Sequence, residues 1–138
     1  MKTTKRYVFD TNTLVSSFLL PGSVARQALN LARQTGRIVL SKVTADEFKG
    51  VFVRPKFDRY LPLAIRLEII ESFDSLAVYI RPHHKITDCR DAKDNKFLEV
   101  ALSIKADAII TGDQDLLVLH PYRDIPIINA RSFLGIFS

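Results

Sequence analysis

The order of elements along this 138-residue chain predicts a three-layer α/β/α fold around a central, mainly parallel sheet of about five strands. Two observations carry that expectation. Short β-rich runs alternate with helical patterns throughout, which argues for a parallel sheet with helices on both faces and right-handed crossovers. One run, Ile38-Val39-Leu40, is apolar at every position, as a strand covered on both faces requires.

The elements follow in order. Tyr7-Val8-Phe9 is the first strand and ends at Asp10. Asn12 to Leu19 reads as a short helix, broken by Pro21-Gly22. Ser23 is the N-cap of a second helix, with Ala25, Leu29 and Ala32 on one face and Gly36 as its stop. After the Ile38–Leu40 strand a helix runs from about Val43 to Val53 and ends before Pro55, because proline restricts the residue preceding it. Pro62 opens the next helix, with Leu63, Leu67, Ile70 and Phe73 as its apolar stripe.

Ala77 to Ile80 is the third strand, closed by Pro82, and Arg81 to Arg90 is a loop. Asp91 to Lys105 is helical by pattern, with Phe97, Ala101 and Ile104 aligned. Ala108 to Thr111 is the fourth strand, after which Gly112 lets the chain turn sharply. Ile125 to Ile128 is the last strand, and Arg131 to Phe137 closes the chain as a helix. No repeat or long linker interrupts this order, so residues 1–138 are expected to form a single domain.

Composition narrows the function classes. Hydrophobic residues make up 47% and charged residues 25%, which excludes a disordered chain. No stretch approaches the roughly 18–20 apolar residues of a membrane span. The basic start, Met1-Lys2-Thr3-Thr4-Lys5-Arg6, is no secretory signal, because Asp10 and Asn12 break the apolar run after it. A lone cysteine, Cys89, excludes an internal disulfide and a Cys-rich zinc site. A reduced, cytoplasmic protein is expected. The net charge of +5 permits a phosphate-bearing partner without requiring one.

In an open parallel sheet, ligands sit beyond the carboxyl ends of the strands. Asp10 follows the first strand directly, and Asp113 lies two residues beyond Thr111. Glu47 falls in the first turns of the helix after the second strand, and Asp94 near the start of the helix leading into the fourth. Crossover geometry therefore gathers four acidic residues on one rim. Carboxylates so close repel one another, and a divalent cation with all-oxygen ligation, Mg2+ or Mn2+, resolves the repulsion. That suits metal-assisted phosphodiester hydrolysis.

Each residue also has a structural reading. Asp10 can cap the following helix. Thr44-Ala45-Asp46-Glu47 fits a capping box, with Val43 and Phe48 placed as a hydrophobic staple. Asp91 and Asp94 can be favourable charges in a helix's first turn, and Asp113 and Asp115 turn or cap residues. The joint placement favours the functional reading.

The same residues resemble the PIN-domain nucleases. Tyr7-Val8-Phe9-Asp10-Thr11-Asn12 is similar to the family's opening motif, and Ser41-Lys42-Val43-Thr44-Ala45-Asp46-Glu47 to its second. Asp91-Ala92-Lys93-Asp94-Asn95-Lys96-Phe97-Leu98-Glu99 resembles the third, in the form of a bacterial and archaeal branch of toxins. Thr111-Gly112-Asp113-Gln114-Asp115-Leu116 resembles the fourth. The resemblance implies that Asp10, Glu47, Asp94 and Asp113 form a metal-binding catalytic site. Asn12 and Thr111 would support it, and Asp91 and Asp115 would be extra carboxylates. It further implies a Mg2+- or Mn2+-dependent endoribonuclease acting on single-stranded RNA, often dimeric and often held inactive by an antitoxin.

Other features are less specific. Arg54, Lys56, Lys93 and Lys96 are candidate RNA contacts, with Phe57 and Tyr60 as possible stacking partners. Arg81, His83, His84 and Lys85 read as a solvated loop. The aspartates near Cys89 disfavour a thiolate there. A phosphatase or phosphotransferase using Asp10 as nucleophile is an alternative, but the haloacid-dehalogenase pattern wants an aspartate where Asn12 stands. A non-catalytic RNA- or protein-binding module is another, although four retained acidic positions argue against it.

Overall fold

Successive side chains on a strand point to opposite faces, so Tyr7 and Phe9 enter one core while Val8 enters another. The computed structural model describes residues 4–138; Met1, Lys2 and Thr3 of the basic start lie outside them. Its strands are β1 (Lys5–Phe9), β2 (Gly36–Leu40), β3 (Val78–Tyr79), β4 (Ala108–Ile110) and β5 (Ile127–Ile128). They form an all-parallel sheet in the order β3-β2-β1-β4-β5. β1 pairs with β4 with Phe9 opposite Ile110, so Asp10 and Thr111 leave the sheet side by side.

Helices α1 (Thr11–Leu19), α2 (Val24–Thr35), α3 (Lys42–Phe52), α4 (Leu63–Leu76) and α7 (Ala130–Phe137) supply the core on one face. Phe18 sits at its centre, with the rings of Phe48, Phe52 and Phe73 between 5.4 and 5.8 Å away. Helix α5 (Asn95–Ile104) and the short α6 (Gln114–Leu117) cover the other face with Phe97, Leu98, Val100, Ala101 and Leu116. The chain is thus the three-layer α/β/α fold expected, with five strands.

Local chemistry accounts for most boundaries. Ser23 caps α2, its hydroxyl accepting the Arg26 N–H at 3.0 Å. Gly22 takes φ +82° in the break before it, a conformation that favours glycine. Gly36 ends α2 and opens β2 where a Cβ would lie 2.1 Å from the Lys5 carbonyl oxygen, so no other residue fits.

Several expectations are corrected. Leu63 and Leu67 are 44% and 51% exposed. Ile70 and Phe73 of the expected stripe face the core, while Arg66 and Ile69 take the inward places expected of Leu63 and Leu67. Only Val78 and Tyr79 of the third strand pair with β2, on an exposed edge. In the last strand Ile125 instead bridges back to Tyr122, leaving Ile127 and Ile128 in the sheet. The fifth helix begins at Asn95, after a separate 3-10 turn at Ala92–Asp94. Gly112 turns without a positive φ and with open space at its Cβ position, so that turn does not demand glycine. Among the described residues no helix is long and apolar enough to cross a membrane.

Candidate acidic site

The strand order reverses direction between β1 and β4, and the crevice at such a switch point is where open α/β sheets bind ligands. Asp10 enters this crevice from β1 and is 5% exposed. One carboxylate oxygen caps α1, accepting the Thr13 N–H at 2.9 Å. The other accepts the Thr111 hydroxyl at 2.5 Å. Thr111 in turn accepts the Asp113 N–H at 2.9 Å, so one buried hydroxyl ties the ends of both strands together. Burial raises the Asp10 pKa above the ordinary carboxylate value; the bonds from Thr111 and Thr13 oppose this, and the charge of Asp113 adds to it. The capping and site readings of Asp10 are both realised.

Glu47 is not used as a cap. The capping box of α3 is made by Ser41 and Thr44, and Val43 is 61% exposed, so no staple forms. Freed from that duty, Glu47 accepts the Thr11 hydroxyl on one oxygen and the Lys96 ammonium at 2.8 Å on the other. Neither partner was evident in the sequence as a ligand of Glu47. Thr11 had a signal, since it sits between Asp10 and Asn12 in the opening motif.

Asp94 ends the 3-10 turn ahead of α5. Its Oδ2 is buried and receives no hydrogen bond among the described residues. Its carboxyl is pushed up to about 7, chiefly by burial, then by the Asp113 carboxyl within hydrogen-bonding reach, by the charges of Asp113 and Asp91, and against the pull of Lys96. Two carboxyls that face each other need a proton or a cation between them. Asp113 also caps α6, accepting the Asp115 N–H at 2.8 Å, and Asp91 accepts the Lys93 N–H at 3.1 Å.

Asp10, Glu47, Asp94 and Asp113 all line one cavity of about 190 Å3, together with Asp91, Asn12, Thr11 and Lys93. A second cleft of about 530 Å3 shares Asp10, Asn12 and Asp113 with it and continues past Thr13 and Ser16 to Asn129 and Arg131. Thr111 lines this larger cleft. The carboxylate trio with one oxygen each within 4.8 Å of one another is Asp91, Asp94 and Asp115. Asp115, however, is bound by the Arg90 guanidinium through Nε at 2.7 Å and a second nitrogen, which neutralises it. Among the described residues, the cavity carboxyls without an ion-pair partner are therefore Asp10, Asp91, Asp94 and Asp113.

Of the basic candidates, Lys93 is exposed beside the cavity, whereas Lys96 is only 14% exposed and held by Glu47. Arg54 and Lys56 are exposed around the 3-10 turn Pro55–Phe57, where Lys56 lies 5.1 Å from the centre of the Phe57 ring. Arg81, His83, His84 and Lys85 are exposed. Cys89 is buried, and its thiol is raised by burial and by the charges of Asp94, Asp115 and Asp113 against one backbone bond.

An all-parallel three-layer domain with carboxylates collected at the switch point of its sheet belongs to the acidic-site class of α/β proteins. The family model for the PIN domain matches residues 6–115. The chain is also 37% identical over 118 residues to the uncharacterized protein MJ1680 of Methanocaldococcus jannaschii, covering 83% of this chain and 75% of that one. The chain belongs to the PIN domain family, a nuclease-type fold, and carries an acidic cluster able to hold a metal ion.

Proposed function

We propose that this protein is a Mg2+- or Mn2+-dependent endoribonuclease that hydrolyses phosphodiester bonds of single-stranded RNA. Asp10, Glu47, Asp94 and Asp113 form its site, within one domain over residues 1–138. The observation that carries the reading is the buried Asp94 Oδ2 without a donor, facing Asp113 in a cavity walled by carboxylates. An all-oxygen, hard donor set of this kind fits Mg2+ or Mn2+. When bound, the ion activates water for attack at phosphorus and offsets the charge that develops on the phosphate.

The chain's own residues do the rest. Thr111 links Asp10 to the backbone of Asp113, and both oxygens of Asp10 are oriented by hydrogen bonds, while Asp113 spends one oxygen on its cap and keeps the other for the cavity. Such pre-organisation matters because reacting groups must be held to within a fraction of an ångström. Asn12 belongs to both clefts and is exposed, so its amide can orient the sugar–phosphate chain where it enters the acidic end. The larger cleft, lined by Thr13, Ser16, Asn129 and Arg131, offers hydroxyls, an amide and a cation to the RNA backbone. Lys93 lines the acidic cavity, and the exposed Arg54 and Lys56 would meet RNA phosphates outside the clefts.

The resemblance of the third motif to a toxin branch supports a role as the toxin of a toxin–antitoxin pair, with an antitoxin protein and a second copy of the chain as partners and the cytoplasm as its place. Incubating the purified chain with a panel of single-stranded RNAs tests the activity. Cleavage is expected in Mn2+ or Mg2+ and none in chelator. Equal cleavage in both overturns the metal-dependent reading, and loss of phosphate from monoesters without RNA cleavage favours a phosphatase. For the toxin role, expression should arrest growth, and the product of an adjacent small gene should relieve the arrest.

A further inference from the structure

Lys96 stands out because a lysine is seldom buried without a partner, and this one is only 14% exposed. Its ammonium is anchored from three directions. It meets Glu47 Oε2 at 2.8 Å, donates to the Lys93 carbonyl, and lies 5.1 Å from the centre of the Phe97 ring, itself part of the cavity wall. With Thr11 donating to Oε1, both oxygens of Glu47 are engaged by donors of the chain itself. The other end of the cavity is the opposite case. Asp94 Oδ2 has no donor, and Asp113 spends only one oxygen on its cap.

A nuclease site that uses two divalent ions needs carboxylates at both positions free of other cations. Here one end is already neutralised by a fixed positive charge, which repels a second dication strongly at such range. We propose that Lys96, which adjoins the cavity through Glu47 and Phe97, holds Glu47 in the place of a second divalent ion, so that the site takes one divalent ion at its Asp94–Asp113 end. This rests on the metal-dependent reading above. Lys96 is then a positioning residue that acts through Glu47, where a surface lysine would instead meet the substrate from solvent.

Mn2+ binding to the chelator-stripped full chain at pH 7.5, counted by electron paramagnetic resonance of the free ion, tests the idea without any turnover. The wild-type chain should bind one Mn2+. Lys96→Met keeps the apolar stem over Phe97 and removes the charge; it should bind a second Mn2+, with the bound ions broadening each other's spectrum. Glu47→Gln alone leaves the ammonium unpaired beside the site and should weaken the single ion at least fivefold. Lys96→Met with Glu47→Gln removes the carboxylate that a second ion would need and should return the count to one.

Two ions in the wild-type chain, or one in a folded Lys96→Met chain, overturns the role of Lys96 and leaves the metal site standing. No bound Mn2+ in any of the four proteins overturns the metal site itself. Should Lys96→Met alone fail to fold, Lys96→Gln, which keeps a donor for Glu47 without the charge, decides, and a single bound Mn2+ there overturns the proposal.

Discussion

Arg66 and Asp94 both have charged groups withdrawn from water, and their surroundings are opposites. Arg66, on α4, is fully buried. Its guanidinium donates to the carbonyls of Phe52 at 2.7 Å, Leu61 at 3.0 Å and Arg54 at 3.2 Å, and pairs with Asp58. Every direction in which it can donate toward the protein is met, so it fastens the turn between α3 and α4. Asp94 has a buried oxygen that meets no donor at all. A buried charge is expensive unless paired and hydrogen-bonded. The first region is complete as it folds; the second needs a proton or a cation between Asp94 and Asp113.

That contrast breaks first, and most visibly, at the satisfied end. Arg66→Met keeps the stem and strands three carbonyls, which should cost about 3 kcal/mol of stability, measured by urea unfolding. A loss below about 1 kcal/mol would mean that the guanidinium is not what fastens the turn. At the other end, Asp10→Asn removes charge but keeps a side chain able to cap α1. RNA cleavage in Mn2+ should fall at least a hundredfold, about 2.7 kcal/mol in the barrier, with the melting temperature preserved. A folded variant with full activity would show that Asp10 is a cap and nothing more.

The smallest effect sharpens the comparison most. The folded chain holds a proton on Asp94 up to about pH 7, whereas an unfolded aspartate loses it near 4. The stability tied to that proton is fully present below about pH 4 and is lost as the pH rises through 7. Because this carboxyl is only partly buried, solvent screening reduces the effect to about 1 kcal/mol. In chelator, the wild-type chain should therefore be more stable to urea at pH 5 than at pH 8. Asp94→Asn should flatten the difference, leaving a remnant from Asp10, whose pKa is raised in the same direction. An unchanged difference in Asp94→Asn would assign the proton elsewhere.

The sequence made the unpaired region easier to read than the paired one. Asp10, Glu47, Asp94 and Asp113 were recognisable because each follows a strand or opens a helix, and alternation of elements sends all such positions to one edge. Arg66 was hidden because its partners are backbone carbonyls and Asp58, and no pattern marks a carbonyl as waiting. It also leaves Leu63 and Leu67 outside the core while Ile70 and Phe73 keep their places, since a leucine-rich helix gives no hint that an arginine takes the buried position. The Lys96–Glu47 pair spans elements far apart in the chain, so only packing reveals it. Ser41 with Thr44 and Thr44 with Glu47 both fit the local capping pattern; β2 ends at Leu40, which makes Ser41 the cap.

The bond from Thr111 to Asp10 joins residues 101 positions apart. During synthesis, Asp10 leaves the ribosome long before Thr111 and Asp113 exist, and at about 5–20 residues per second the wait is several seconds. In that interval β1 has no β4 beside it, and the crevice has only one wall. A chain caught partway through translation therefore carries the first acidic motif without a site. The acidic crevice is therefore assembled late, only once β4 has been made and has taken its place beside β1.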